Sequence, residues 1–103
     1  MARWLPRLLE RIHRLALSGR VRLTTKAARE VALLDLGLNF EDVCDVLARL
    51  STGDFVKRMA SSATGEWLYV FSPAVAGVAL YLKLIVRAHC VVISFHEDEE
   101  EDT

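Results

Sequence analysis

The sequence predicts a single α+β domain in which N-terminal helices pack on a C-terminal antiparallel sheet. The first half of the chain carries apolar residues at helical spacing, and the last third carries short β-branched and aromatic runs separated by turn residues. Helices that come first, followed by strands joined through short links, are typical of this fold class. A length of 103 residues suffices for one modest hydrophobic core.

The first third predicts two helices on either side of an extended segment. Residues 4–18 place Trp4, Leu8, Ile12 and Leu15 at helical spacing beside a face of arginines, and Gly19 follows as a stop signal. Residues 20–24 alternate and predict a short strand or extended link. A threonine at the end of that segment can cap a second helix, which would reach about Leu36.

Capping residues predict two further helices. Asn39 can cap a third helix whose first turn contains an aspartate. Residues 51–54, STGD, resemble a capping box. We expect this box to open a short helix through FVKRMA, with Lys57 and Arg58 on its outer side.

The last third predicts a meander of three strands, at residues 66–71, 78–87 and 90–96. If the last hairpin has a two-residue turn, Tyr81 lies opposite His96; a four-residue loop preserves this register, whereas a three-residue loop with a bulge would not. By the same pairing Lys83 lies opposite Ser94, on the same face. The predicted core face of this hairpin carries Leu80, Leu82, Leu84, Val86, Val91, Ile93 and Phe95.

Charge is unevenly distributed along the chain. The net charge is −1, but residues 1–29 carry +7, residues 1–96 carry +5, and six consecutive acids occupy residues 97–102. A basic body with an acidic tail favours a surface that binds polyanions, although a solvated helix face gives a similar count. We therefore predict one domain over residues 1–96 and an acidic tail over residues 97–103.

Several classes of site are disfavoured by the sequence. Cys44 and Cys90 lack partners at metal-ligand spacing, so we expect two packing thiols and neither a metal nor a cofactor. No apolar run is long enough to span a bilayer, and the arginine-rich start lacks the apolar stretch of an export signal. The sequence therefore predicts a cytoplasmic protein.

The side chains predicted beside Tyr81 suit the cleavage of a phosphodiester. RNA supplies its own nucleophile, the 2′-hydroxyl, so an enzyme needs a base, an acid and cations around the phosphate. His96 can exchange a proton near neutral pH, and lysine and arginine offset the charge on the phosphate oxygens. The alternative is an ordinary polar outer face, which antiparallel sheets commonly have.

Three blocks of the sequence resemble the MqsR family of bacterial toxins, over about residues 21–95. They are LGLNFEDVCDVL, DFVKRM and YLK…ISF, in the family's order. The resemblance implies a RelE-like α+β fold and a ribonuclease that cleaves mRNA without a metal. It also implies two further partners, a cognate antitoxin that silences the toxin and promoter DNA for the antitoxin-bound complex.

The resemblance also assigns individual residues. Lys57 matches the family's catalytic lysine in DFxK, and Tyr81 matches its tyrosine in YLK. Two positions depart from the family pattern, since Leu68 stands where the family has glutamine and His96 where it has lysine. We predict catalytic roles for Lys57, Tyr81 and His96. Contacts with RNA are predicted for Arg58, Lys83, Arg87, Arg22 and Lys26.

Two other functions stay open at this point. Leu68 cannot hydrogen-bond a base or a phosphate, which is consistent with a non-catalytic module that binds RNA or an antitoxin on the same scaffold. The arginine-rich helix at residues 4–18 has the composition of a membrane-surface binder. Its apolar stripe is more typical of a face that docks on the sheet.

Overall fold

The structure is a computed structural model, and it describes residues 3–99 of the chain. Within that range, three α-helices and a sheet confirm the predicted α+β class. A single 3₁₀ turn at Thr52–Asp54 links the helices to the strands that follow. The helices are α1 (Trp4–Leu17), α2 (Thr25–Leu33) and α3 (Phe40–Ala48), and the strands are β1 (Val21–Leu23), β2 (Phe55–Ala60), β3 (Trp67–Phe71), β4 (Ala74–Val75), β5 (Val78–Val86) and β6 (Cys90–Glu97).

The sheet has the strand order β1-β6-β5-β3-β2, with β4 paired to the start of β5. The predicted meander is present, since β3 pairs with β5 and β5 with β6 in antiparallel fashion. The sheet is mixed rather than purely antiparallel because β1 joins β6 in parallel. The chain then leaves β1 directly into α2, which places that helix beside β6.

The hydrophobic core lies between one face of the sheet and the helices α1 and α3. Ile12, Leu47, Leu82 and Phe95 have no exposed surface there. The buried stripe of α1 is Leu5, Leu9, Ile12 and Ala16. It is rotated from the predicted stripe, whose Trp4, Leu8 and Leu15 are only partly buried at the margin.

Helix α2 covers the edge of β6 beyond the end of β1. The Thr24 side chain caps the helix by accepting a 3.1 Å hydrogen bond from the Ala27 amide, as predicted. The Phe95 amide, which lies past the last β6 residue paired with β1, donates to the Glu30 carboxylate at 2.9 Å. The helix ends at Leu33, earlier than the predicted Leu36.

The predicted helix over residues 55–60 is wrong, because this segment forms strand β2. The capping box itself exists, since the Ser51 amide donates to the Asp54 carboxylate at 2.9 Å. A six-residue helix would be marginally stable, whereas the edge of β3 offers partners for the backbone. A bulge follows Phe55, whose partly buried ring packs against the core, and the strand places Lys57 and Arg58 on opposite faces.

The last hairpin has a three-residue loop, residues 87–89, and not the predicted two-residue turn. Val86 pairs with Cys90, and a bulge next to Lys83 then restores the predicted pairing of Tyr81 with His96. The extra residue of the bulge is Ile93, because Lys83 lies opposite Ser94 and the next residue of β5 lies opposite Val92. On this stretch of β6, the fully buried residues are therefore Cys90, Val92 and Phe95.

The fold continues into the start of the acidic segment. Glu97 belongs to β6, and the Asp98 amide donates to the Ala79 carbonyl at 2.8 Å. The Ser72 hydroxyl donates to the Asp98 carboxylate at 3.0 Å. Residues 100–103 of the predicted tail lie outside the described residues. Over residues 3–99, no helix has the length and apolar character needed to cross a membrane.

Candidate active site

Tyr81 and His96 lie side by side on the sheet face opposite the core. Their ring centroids are 5.0 Å apart and the ring planes differ by 10°, so the two rings stack. The pairing follows from the register of β5 and β6, which places the two residues directly opposite each other. We call this surface the tyrosine face; it carries Lys57, Val70, Tyr81, Lys83, Ser94 and His96.

The imidazole of His96 is held in one orientation by the backbone. Its Nδ1 lies 2.8 Å from the Glu97 carbonyl oxygen. A carbonyl only accepts hydrogen bonds, so Nδ1 carries a proton and donates it. In the neutral ring, Nε2 is therefore the nitrogen with the free lone pair, and it is the atom of His96 able to exchange a proton with a ligand.

Three lysines form a line across the sheet next to this pair. Lys57 lies opposite Val70, Val70 opposite Lys83, and Lys83 opposite Ser94. Lys26, from α2, donates to the Ser94 hydroxyl at 3.0 Å. We call Lys26, Lys83 and Lys57 the lysine row. Adjacent strands are spaced about 4.8 Å apart, so the row spreads positive charge over the width of the sheet.

Glu30 ties α2 to the strand that carries His96. Its carboxylate pairs with Lys26 at 2.9 Å and accepts from the Phe95 amide at 2.9 Å. Burial raises the pKa of the Glu30 carboxyl, but the bonds from Lys26 and Phe95 and the charges of Lys26 and His96 outweigh it. The pKa therefore lies below its ordinary value of 4.5, and Glu30 is a firmly ionised anchor. Sequence reasoning missed Glu30, and it placed Ser94 on this face without giving it a role.

The remaining predicted RNA-binding residues are dispersed. Arg22 pairs with Val91, which lies opposite Ile85, so it shares the tyrosine face and is exposed. Measured along the strand direction only, it is four residues from Tyr81, about 13 Å. Arg87 lies six residues from Tyr81, and two of its guanidinium nitrogens bond Glu66 at 2.8 and 2.6 Å. The Arg87 side chain is therefore engaged within the protein.

Arg58 lies on the other side of the sheet from Lys57. Its guanidinium carbon is 4.2 Å from the ring centroid of Trp4 and 3.9 Å from that of Trp67. It therefore joins α1 to the sheet through two cation–π contacts. The structure does not bring Arg58 together with Tyr81 and His96, and its contact with RNA stays a prediction.

Leu68 lies on the tyrosine face, two residues before Val70 in β3. It pairs with Met59 of β2, so an apolar patch borders the lysine row. Among residues 3–99, no group of three or more histidine, cysteine, aspartate or glutamate side chains is arranged to hold a metal ion. Around Tyr81 and His96, the chemistry available is that of a phenol, an imidazole and three ammonium groups.

Comparisons with known proteins identify the family of the chain. A family model described as "Motility quorum-sensing regulator, toxin of MqsA" matches residues 7–97. The chain belongs to the MqsR toxin family. It is 32% identical over 90 residues to the mRNA interferase toxin MqsR of Escherichia coli (strain K12). The aligned region covers 86% of this chain and 90% of that protein.

The MqsR family match extends further than the blocks that first suggested it. It begins at residue 7 and so includes most of α1, which the resemblance over residues 21–95 had left out. Within the family match lie Lys57, Tyr81 and His96, together with the whole lysine row. Leu68 and His96, the two positions that the resemblance predicts to depart from the family pattern, both lie on the tyrosine face.

Proposed function

We propose that this chain is an endoribonuclease toxin that cleaves mRNA without a metal ion, using the RNA 2′-hydroxyl as the nucleophile. The single observation that carries the proposal is the stacked pair of Tyr81 and His96 beside the lysine row. Membership of the MqsR toxin family and the name of the Escherichia coli relative support the same reaction. Since its substrate would be mRNA, the protein would act in the cytoplasm.

The proposed reaction assigns a task to each group on the tyrosine face. The 2′-oxygen attacks the phosphorus atom, the bond to the 5′-oxygen breaks, and a cyclic phosphate and a 5′-hydroxyl result. Nε2 of His96 takes the proton from the 2′-hydroxyl or gives one to the departing oxygen. Lys57 and Lys83 offset the charge on the phosphate oxygens, and Tyr81 donates a hydrogen bond or stacks on a base.

We also propose that a cognate antitoxin related to MqsA neutralises the toxin, as the family description suggests. Binding of the antitoxin-bound complex to promoter DNA stays a prediction from the resemblance. A non-catalytic RNA-binding module is the alternative, and the apolar Leu68–Met59 pair beside the lysine row is the observation that favours it.

Incubation of the purified protein with mRNA in EDTA, at near-neutral pH and low salt, tests the proposal directly. Cleavage is expected, together with its loss when the 2′-hydroxyl at the cut site is replaced by hydrogen. Tyr81→Phe keeps the ring stack but removes the phenol, and His96→Ala removes the imidazole; both should relieve growth arrest on expression. Intact mRNA in EDTA would favour the binding module, and full toxicity of both variants would show that the site lies elsewhere.

A further inference from the structure

The exposed side of α1 is a strip of arginines on the helical side of the molecule. Four exposed side chains form it: Arg3, Arg7, Arg11 and Arg14. They span about 16 Å of helix, and Glu10 is the one acid within residues 1–29. Arg20 continues the strip past the helix end, where it lines a groove of about 350 Å³ with Arg11 and Arg14.

An aromatic platform lies at the other end of this strip. The guanidinium of Arg58 is sandwiched between Trp4 of α1 and Trp67 of β3. Trp67 is nevertheless 44% exposed, although its ring is large and apolar. A hollow of about 590 Å³ lined by Arg3, Trp4 and Arg7 opens at the same end of the helix. An exposed indole flanked by cations is the arrangement that stacks unpaired bases.

The strip is connected to the tyrosine face around the edge of the sheet. Lys57 and Arg58 are consecutive residues of the edge strand β2 and point to opposite faces. Lys57, at the end of the lysine row, is exposed. Positive charge therefore continues from the tyrosine face, around β2, to the Trp67 platform and the arginines of α1.

We propose that the arginine strip of α1 and Trp67 form a second RNA-binding surface, which holds single-stranded RNA beyond the segment bound at Tyr81 and His96. The proposal rests on the proposed function, because it concerns the same RNA strand. A polyanion with stackable bases matches both the arginines and the indole. An anionic membrane matches less well, since the apolar face of α1, including Leu9 and Ile12, is buried in the core.

Binding of an uncleavable RNA tests this surface without relying on catalysis. The probe is a fluorescein-labelled single-stranded RNA of about 20 nucleotides, 2′-O-methylated throughout, titrated at several salt concentrations. The double variant Arg7→Gln and Arg14→Gln should bind about tenfold more weakly. The fall of log affinity with log salt should also become less steep, by about 1.4 in the slope. The control, Arg29→Gln with Arg49→Gln, removes the same charge from exposed positions elsewhere and should leave the slope unchanged.

Stacking of bases on Trp67 should contribute to RNA affinity independently of the salt concentration. Trp67→Ala should weaken binding about tenfold at an unchanged salt slope, whereas Trp67→Phe should retain most of the affinity. Thermal unfolding of each variant identifies any loss that comes from the fold.

Each result of the experiment bears on one hypothesis. A smaller salt slope for the Arg7 and Arg14 pair alone supports the second surface. Equal slopes for both double variants, with cleavage of unmodified RNA intact, overturn this inference and leave the proposed function standing. Failure of the unaltered protein to cleave RNA overturns the proposed function, and the salt slopes still decide whether the second surface binds RNA. Sedimentation of the unaltered protein with anionic vesicles is measured in parallel. If the Arg7 and Arg14 double variant no longer sediments but keeps the RNA salt slope of the unaltered protein, the assignment of RNA is overturned in favour of a membrane.

Discussion

The Glu30 carboxylate accepts a hydrogen bond from the Phe95 amide at 2.9 Å, one residue before His96. The amide belongs to the part of β6 that extends beyond its pairing with β1, and it points away from β5 toward α2. A side chain of α2 therefore completes the backbone hydrogen bonding of the strand that carries His96, and the position of the imidazole depends on it.

Replacement of this carboxylate is expected to destabilise the fold in a pH-dependent way. Glu30→Gln should lower the free energy of unfolding at pH 7 by about 1 kcal/mol, because neutral hydrogen bonds replace charged ones. The pKa of Glu30 is lowered in the folded protein, so its stabilisation is present above the ordinary 4.5 and is lost as pH falls through the folded pKa. Urea unfolding of both proteins at pH 7 and pH 3 measures the difference. An equal difference in the free energy of unfolding at both pH values would contradict a stabilising role for the ionised Glu30 carboxylate. Glu10→Gln, which replaces an exposed carboxylate, is the control.

Two substitutions of His96 test its role in proton transfer. His96→Gln, which cannot transfer a proton, is expected to lower kcat by about 100-fold or more. His96→Lys restores a permanent cation and should weaken the dependence of cleavage on pH across the range in which imidazoles titrate. Cleavage rates from pH 5 to pH 9 measure both effects. A His96→Gln protein with an unchanged rate would remove His96 from the mechanism.

Lys83 and Arg87 lie on the same strand, and we expect them to differ in importance. Lys83 belongs to the lysine row, whereas Arg87 is bonded to Glu66. The hydrogen bond from Arg87 lowers the pKa of Glu66 to about 2, so this partner stays ionised at neutral pH. Lys83→Met should therefore reduce kcat/KM for RNA more than Arg87→Met does, and it should lower the salt slope of binding by about 0.7. A larger loss of kcat/KM for Arg87→Met than for Lys83→Met would show that Arg87 contributes to the site.

The thiol of Cys90 is expected to be inert in the folded protein. Burial raises its pKa to about 12, with a smaller contribution from Cys44. Since the thiolate is the reactive form, alkylation by iodoacetamide at pH 8 should be slower than in the unfolded chain by a factor on the order of 1,000. Mass spectrometry of the labelled protein, with and without denaturant, measures the ratio. Labelling of Cys90 at similar rates in both states would contradict this account.

The candidate site was only partly predictable. The pairing of Tyr81 with His96 was predicted from alternation along two strands, and the structure confirms it. The predicted turn was nevertheless wrong, since the three-residue loop and the bulge at Ile93 compensate for each other. A pattern of apolar residues could not reveal the bulge, because Val91, Val92 and Ile93 are interchangeable in hydrophobicity and only their packing distinguishes them.

Local interactions determined what the sequence could predict by itself. The cap at Asn39 and the capping box at Ser51 formed as predicted because their hydrogen bonds join residues three apart in the chain. The strand at residues 55–60 was decided by tertiary structure, since its backbone partners lie in β3. The same pairing separates Lys57 from Arg58, which no local spacing could indicate.

The sequence by itself determined the three helices and the C-terminal meander, the charge of the first third, and the residue types available for phosphodiester chemistry. The tertiary structure alone decided which of these residues meet, because the lysine row and the Trp4–Arg58–Trp67 stack each join segments that are distant in the chain. Hydrogen-bond geometry between distant segments is a property of the packed fold, and composition does not encode it.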